Sequence, residues 1–338
     1  MSRRHPTHLI QRHVEDLRLL FPRLRDGGVD DVHRARVTTR RLREALPLIT
    51  AAHPVEHAAS TLKDVARALG AVRELDVMRE TLIAAEEWIP AGAAAAAVAR
   101  RSLAEHHDGA QRQLIKTIER VRAERALLKS IPTSSPFARM LHAVDSSRRW
   151  QGALRGRIHS RADNVAAALQ HASGVYFPNR LHRLRIAVKK LRYSVEAADA
   201  LGLWRPRHLL RDLKRLQARL GEIHDWQVVL DRLDDLVTDE TLVAARRALT
   251  DGIRALVRSR FSEYLERRDR LAQAAAACQR FARSSPTMFG AGSGSLAAAA
   301  VVVLPVALAV TAARVRRKPR LVGDRHHVTV AGLTSAPA

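Results

Sequence analysis

Apolar residues recur along this chain every three to four positions, the spacing that places them on one face of an α-helix. The pattern is clearest in residues 32–46 and 181–195. Their apolar positions are Val32, Ala35, Leu42 and Leu46 in the first segment, and Leu181, Leu184, Val188, Leu191 and Val195 in the second. No run of alternating β-branched residues indicates a strand. The sequence therefore predicts an all-α fold whose helices begin near residues 7, 30, 57, 91, 136, 180, 206 and 240.

These two segments are copies of each other. Residues 32–46 read VHRARVTTRRLREAL and residues 181–195 read LHRLRIAVKKLRYSV, so both give His-Arg, a basic pair and Leu-Arg at matching positions. A second matching pair follows, LKDVARALGAVRELDV at 62–77 and LKRLQARLGEIHDWQV at 213–228. Repeats of this size indicate a duplicated structural unit. The sequence therefore predicts a helical bundle of two pseudo-symmetric halves.

The second pair of segments shares a glycine and an acid as well as its apolar positions. Gly70 matches Gly221, and a glycine inside a helix costs about 1 kcal/mol relative to alanine. Its recurrence indicates a close approach of helices or room for a ligand. Glu74 matches Asp225. We interpret these acids as ion-pair partners that hold arginines in place, with metal coordination as the alternative.

Basic residues form a second row beside each apolar row of the first pair. They follow the spacing i, i+3, i+7 and i+10, which places them along one stripe of a helix. The stripes are His33, Arg36, Arg40 and Arg43 in the first copy, and His182, Arg185, Lys189 and Arg192 in the second. Each stripe rises roughly 15 Å, which suits an extended anion with repeated charges. A solvated basic face is the alternative interpretation, but the recurrence of the stripe favours a function.

These motifs resemble those of the CHAD domain, a family named for its conserved-histidine α-helical character. Residues 33–43 read HRARVTTRRLR and residues 69–77 read LGAVRELDV, with counterparts that begin at His182 and Leu220. Glu74 stands where the family usually has Asp, and the second copy has Gln227 where the first has Asp76. The resemblance covers residues ~5–280. It implies two related halves around a central basic groove that binds inorganic polyphosphate.

The resemblance and the stripes together give the expected binding residues. We expect polyphosphate to contact His33, Arg36, Arg40, Arg41, Arg43, Lys63, Arg67, His182, Arg185, Lys189, Lys190, Arg192 and Lys214. The formal net charge of +24 independently predicts an anionic partner. We therefore expect a binding protein that uses no cofactor and is not an enzyme.

Two other functions remain open at this point. The charge alone allows nonspecific nucleic-acid binding, although an aromatic content of 4% leaves few platforms for base stacking. A metal-dependent polyphosphate or triphosphate phosphohydrolase would need grouped carboxylates, and the sequence offers none with suitable spacing. His33 and His182 could bind a metal, but we expect them to donate to phosphate oxygens because cations surround them. We interpret the H-x-x-E-H string at 53–57 and the His-Asp pairs at 107 and 224 as incidental.

The end of the chain differs from the rest in composition. We predict a helical domain over 1–283, with halves of about 1–145 and 146–283, then a Gly/Ser linker at 284–295, an apolar segment at 296–313 and a basic, disordered tail at 314–338. The apolar segment reaches the lower length limit of a membrane anchor, with a low-complexity tail as the alternative. A single cysteine, Cys278, and the polar first twenty residues favour the cytoplasm. We expect association with polyphosphate granules there, or a membrane tether through 296–313.

Overall fold

The computed structural model describes residues 5–49, 56–124, 149–172 and 174–284, and helices make up nearly all of these residues. Within those ranges there is no strand, so the all-α prediction is confirmed. In chain order the helices are α1 Pro6–Leu20, α2 Val29–Ala45, α3 Glu56–Trp88, α4 Ala93–Glu124, α5 Arg149–His171, α6 Pro178–Ala200, α7 Arg207–Leu236, α8 Val243–Leu265 and α9 Arg268–Arg283. Short 3-10 turns join several of them.

Local sequence signals explain where most of these helices begin. Gly27 has φ 69°, in the left-handed region that favours glycine, and α2 starts two residues later with Asp30 and Asp31 in its first turn. Pro90 opens the turn between α3 and α4. The helix start expected near 136 lies outside the described residues. The start of α9 was not predicted, because the break at Arg267 carries neither Gly nor Pro.

The repeated segments lie at the centre of the packing. The helices α2 and α6 carry the first pair of segments and pack against each other, and α3 and α7 carry the second pair and also pack together. Every residue of the two apolar rows is buried, and Val32, Leu42, Leu184 and Leu191 are fully buried. Burial of each such leucine or valine contributes about 1.5–3 kcal/mol. The two copies therefore meet in the core, while their pseudo-symmetry stays a prediction.

A buried acid ties α2 to two other helices. Glu44 is 8% exposed, and its Oε1 accepts hydrogen bonds from Ser194 Oγ of α6 at 3.0 Å and pairs with Arg161 Nη1 of α5 at 2.6 Å. Arg157 Nη1 donates to the Glu44 carbonyl oxygen at 2.8 Å. A buried carboxylate is tolerated when it is paired and hydrogen-bonded in this way. These bonds fix the C-terminal end of α2 against α5 and α6.

All of the described residues belong to one compact unit, Met1–Pro286. The predicted linker beyond Ser284, the apolar segment 296–313 and the basic tail lie outside the described residues. None of the helices in the described ranges combines the length and apolar character that a membrane crossing needs. Cys278 is buried in α9.

Close helix approach occurs at glycines other than those the repeat indicated. A Cβ on Gly92 would lie 2.7 Å from both Cα and Cβ of Leu249 in α8, whereas a Cβ on Gly70 or Gly221 would meet nothing within 4 Å. The idea that Gly70 and Gly221 permit close helix packing was therefore wrong. The open space beside them is compatible with the other interpretation, room for a ligand.

Substitution of these glycines should have opposite effects on stability. We expect Gly92→Ala to lower the free energy of unfolding by about 1–3 kcal/mol, because backbone atoms of Leu249 must move. Gly70→Ala should raise it by up to about 1 kcal/mol, the gain in helix propensity. Urea unfolding of both variants measures this, and equal effects would show that the contact at Gly92 is not tight.

Candidate functional site

Four basic side chains converge where α2 and α6 pack together. Arg36 and Arg40 come from α2, and Arg185 and Lys189 come from the equivalent positions of α6. We call these residues the four-cation cluster. All four are partly buried. Tyr193, itself 8% exposed, accepts a hydrogen bond from Arg40 Nη1 at 3.2 Å and so orients that guanidinium.

The four side chains repel one another when they are charged, and this repulsion helps to lower their pKa values where a shift is resolved. Burial, followed by the charges of Arg40, Arg185 and Arg36 in that order of importance, lowers the pKa of Lys189 to about 7. Burial, followed by the charge of Arg40, lowers the pKa of Arg36 to about 10. Burial also lowers the pKa of Arg185. The cluster therefore holds positive charge at a cost in free energy that a bound anion would reduce.

Few acids compensate this charge. Asp225 Oδ1 lies 3.9 Å from Arg185 Nη2, and burial raises the pKa of Asp225 while the Arg185 charge opposes that rise. Among the described residues, no carboxylate lies within ion-pairing distance of Arg36, Arg40 or Lys189. Asp225 thus has the predicted role of arginine partner, and its counterpart Glu74 lies 3.8 Å from Arg232 instead.

Arg73 of α3 is a neighbour of the cluster that the sequence analysis missed. Its charge lowers the pKa values of His33 and Arg36. Its side chain is 16% exposed and forms a 3.0 Å ion pair with Glu80. The residue lies inside the LGAVRELDV motif, so the motif itself was the available signal.

The histidines that begin each stripe lie beside the cluster. Burial, then the charges of Arg73 and Arg36, lower the pKa of His33. Burial, then Arg185 and Lys189, lower the pKa of His182. At neutral pH both imidazoles are therefore mainly uncharged, with an N–H available to donate.

His182 also has a histidine partner that the sequence analysis did not identify. Its Nδ1 lies 3.3 Å from Nδ1 of His224 in α7. Burial, then the charge of Arg185, lower the pKa of His224 to about 4. One ring of the pair can donate its N–H to the other when both are neutral. The hydrogen bond fixes the His182 ring at the edge of the cluster.

Other expected binding residues are occupied by structural contacts. Arg192 donates to Gln217 Oε1 at 2.7 Å and to Glu196. Arg41 Nε lies 3.8 Å from Glu196 Oε2. Arg41 and the exposed Lys214 line a cavity of about 260 Å³ between α1, α2, α6 and α7, which Tyr193 also lines.

The remaining expected residues are exposed. Arg67 Nη1 lies 3.4 Å from Asp64 Oδ1, and the side chains of Arg43, Lys63 and Lys190 face solvent. They lie outside the four-cation cluster as we define it. Their part in binding stays a prediction.

Two histidines of the incidental motifs have polar partners. His107 Nε2 contacts Asp76 Oδ1 at 3.0 Å, and His224 contacts His182. His53 lies outside the described residues. Within the part of the chain that the structure describes, no three His, Cys, Asp or Glu side chains are grouped to hold a metal ion.

Comparison with known proteins identifies the family. The model of the CHAD domain matches residues 8–234, which is more than half of the chain. The chain belongs to the CHAD-domain family. The match includes the four-cation cluster and ends within α7. The family membership expected from the motifs is therefore confirmed.

A solved structure supports the CHAD fold independently. The crystal structure of the CHAD domain from the plant Ricinus communis is similar, with a TM-score of 0.56 and 21% sequence identity over 80% of this chain and 90% of that chain. At this identity the likeness concerns the fold alone. Comparison with curated protein sequences finds no match.

The crowding of cations in the CHAD domain should be measurable as a pH-dependent stability. Folded Lys189 loses its proton near pH 7, whereas an unfolded lysine keeps it to about pH 10.4. Between these two pH values the unfolded state binds more protons than the folded state. The contribution of Lys189 therefore makes the free energy of unfolding rise with pH. We expect Lys189→Met to be more stable than the parent at pH 6, by about 1 kcal/mol after screening, and this advantage to shrink by pH 9.

Urea unfolding at the two pH values provides the test, with Lys190→Met as the matched control. Lys190 is the next residue and is exposed, so its substitution should not give a pH-dependent difference. If Lys189→Met shows the same difference from the parent at pH 6 and pH 9, the cluster does not depress the pKa of this amine.

Proposed function

We propose that this CHAD domain binds inorganic polyphosphate through the four-cation cluster and does not catalyse a reaction on it. The observation that carries the proposal is the convergence of Arg36, Arg40, Arg185 and Lys189 from two repeated helices. Of these four cations, only Arg185 has a carboxylate partner among the described residues. Guanidinium and ammonium groups form strong, charge-assisted hydrogen bonds with phosphate oxygens. The net charge of +24 would speed the approach of any polyanion.

The arrangement favours an extended anion over a single phosphate. The cationic residues occupy successive turns on each of two adjacent helices, and Arg73 of α3 adds charge beside them. A chain of phosphoryl groups can contact several of these positions at once. Since the side chains are already packed, little of their conformational entropy is lost on binding.

The histidines and Lys189 extend the proposal to proton linkage. A phosphate chain beside His33, His182 and Lys189 favours their protonated forms and so raises their lowered pKa values. Binding then takes up protons. Affinity should consequently be higher at pH 6 than at pH 8, with the sign expected for groups whose pKa rises on binding.

A binding role fits the surroundings of the cluster better than hydrolysis. The carboxylate that approaches it, Asp225, lies 3.9 Å from Arg185 and forms an ion pair. Nonspecific nucleic-acid binding is less well supported because Tyr193, the aromatic residue at the cluster, is buried and cannot stack on a base. We place the protein in the cytoplasm on polyphosphate granules as part of the same proposal.

Reversal of charge in the cluster tests the proposal. We expect the double variant Arg40→Glu/Lys189→Glu to bind long-chain polyphosphate at least about 100-fold more weakly, because two contacts become repulsive. The slope of log affinity against log salt concentration should become less steep by about two, since fewer counterions are released. Titration at several salt concentrations gives both quantities.

The matched control is Arg34→Glu/Arg183→Glu. It changes the net charge by the same amount on the same two helices, but both residues are exposed and outside the cluster. We expect it to lose much less affinity than the cluster variant. Equal losses in the two double variants would mean that net charge, not the cluster, binds the polyanion.

A further inference from the structure

A second group of arginines lies away from the four-cation cluster, where α7 packs against α8 and the start of α9. These side chains line a cavity of about 480 Å³, a size within the range of about 300–1,000 Å³ that is typical of small-molecule sites. We call this space the α7–α9 cavity. Four positive and two negative side chains line it and leave a formal charge of +2, namely Arg215, Arg219, Arg267, Arg270, Asp212 and Glu222.

The α7–α9 cavity and the four-cation cluster lie on different sides of α7. Gln217 and His224 of α7 contact α6, the helix that carries half of the cluster. Successive residues of a helix are rotated by about 100°. Arg215 and Arg219 therefore lie about 140–180° around α7 from Gln217 and His224. The function proposed above does not use the arginines of this cavity.

One wall of the cavity is held in place by ion pairs between α7 and α8. Arg219 Nη1 lies 3.2 Å from Glu222 Oε2 and 3.4 Å from Glu263 Oε2. Arg260 Nη1 donates to Glu263 Oε1 at 2.7 Å, and Arg260 Nε lies 3.7 Å from Glu222 Oε2. These two arginines and two glutamates balance each other in charge. The positive charge of Arg219 is therefore already compensated.

The other three arginines of the cavity are not compensated in this way. Within the described ranges, the exposed side chains of Arg215, Arg267 and Arg270 form no hydrogen bond and no ion pair. The backbone N–H of Arg267 donates to the Tyr264 carbonyl oxygen at 3.0 Å, and that of Arg270 donates to the Arg267 carbonyl oxygen at 3.1 Å. These bonds form the turn that places both arginines opposite α7. Asp212 is the one remaining acid of the lining, so the uncompensated charge is positive.

We propose that the α7–α9 cavity is a second anion site, which binds a short chain of phosphoryl groups such as inorganic tripolyphosphate or the phosphates of a nucleoside triphosphate. Arginine presents paired N–H donors that match phosphate oxygens. Three adjacent phosphoryl groups can engage all three free guanidinium groups, whereas a single phosphate engages fewer of them. Such charge-assisted hydrogen bonds are roughly twice as strong as neutral ones. The site is independent of polyphosphate binding at the four-cation cluster.

Calorimetric titration of the full chain without divalent metal tests the class of ligand. The background is the cluster variant Arg40→Glu/Lys189→Glu, so that the four-cation cluster does not contribute. We expect one saturable site for tripolyphosphate and for ATP, and at least about tenfold weaker binding of AMP, which offers one phosphoryl group. Tighter binding of ATP than of tripolyphosphate would add a contact to the nucleoside, and equal binding would mean recognition of the phosphates alone. Both results support the site, whereas AMP binding as tight as that of tripolyphosphate contradicts it.

Charge reversal in the cavity locates the site. Added to the same background, Arg215→Glu/Arg270→Glu should weaken tripolyphosphate binding at least about tenfold, because two donors become repulsive. Both side chains are exposed, so helicity and the urea midpoint should stay close to those of the background.

The matched control is Arg258→Glu/Arg280→Glu, on α8 and α9. It changes the net charge by the same amount at exposed positions outside the cavity. We expect it to change tripolyphosphate affinity by no more than about threefold, the effect of net charge alone. Equal losses in the two double variants would show that the cavity is not the site.

Titration of the parent chain separates this inference from the proposed function. If the parent binds tripolyphosphate and the cluster variant does not, the short ligand binds at the four-cation cluster and the second site does not exist. If the cluster variant binds long-chain polyphosphate as tightly as the parent, yet loses its tripolyphosphate site on addition of Arg215→Glu/Arg270→Glu, the proposed function fails and the second site stands.

Discussion

Two helices with rows of like charge, α2 and α6, pack side by side, and the rest of the structure makes this possible. Their apolar edges bury Val32, Leu42, Leu184 and Leu191 completely, and each such side chain contributes about 1.5–3 kcal/mol. Glu44 adds a buried ion pair of 2.6 Å to Arg161 on α5. Apolar burial on one edge and an ion-pair anchor at the end of α2 thus hold the cations together against their repulsion.

This constraint explains the chemistry of the site. Because the helices cannot separate, the cluster responds through its protonation: the pKa of Lys189 falls to about 7 and that of Arg36 to about 10. The folded chain therefore gives up some stability to keep the four cations together, a compromise that is common where function needs strained electrostatics. A bound polyanion would relieve the repulsion, and so would loss of charge on Lys189.

The sequence predicted the fold and the centre of the site for a physical reason. Helical periodicity is a local property, so the buried apolar rows and the placement of Arg36 and Arg40 on one face follow from spacing alone. Partner choice is a tertiary property. Arg41 lies next to Arg40 in α2, yet it contacts Glu196 of α6, a contact that depends on how α2 and α6 pack.

The residues that the sequence analysis missed illustrate the same limit. Arg73 reaches the cluster only because α3 packs against α2. His224 contacts His182 across the α6–α7 interface. The start of α9 lacks the Gly or Pro that marks most other boundaries. In each case the deciding information is the arrangement of neighbouring helices, which periodicity does not contain.

We propose that the site recognises a polyphosphate chain and not negative charge in general. Titration of the full chain with long-chain polyphosphate and with single-stranded DNA of matched charge, at about 50 mM and 200 mM salt, tests this most directly. We expect polyphosphate to bind more tightly at both salt concentrations and to keep more of its affinity at the higher one, because packed arginines would contact its phosphoryl groups. Equal affinities and equal salt dependence for the two polyanions would contradict it.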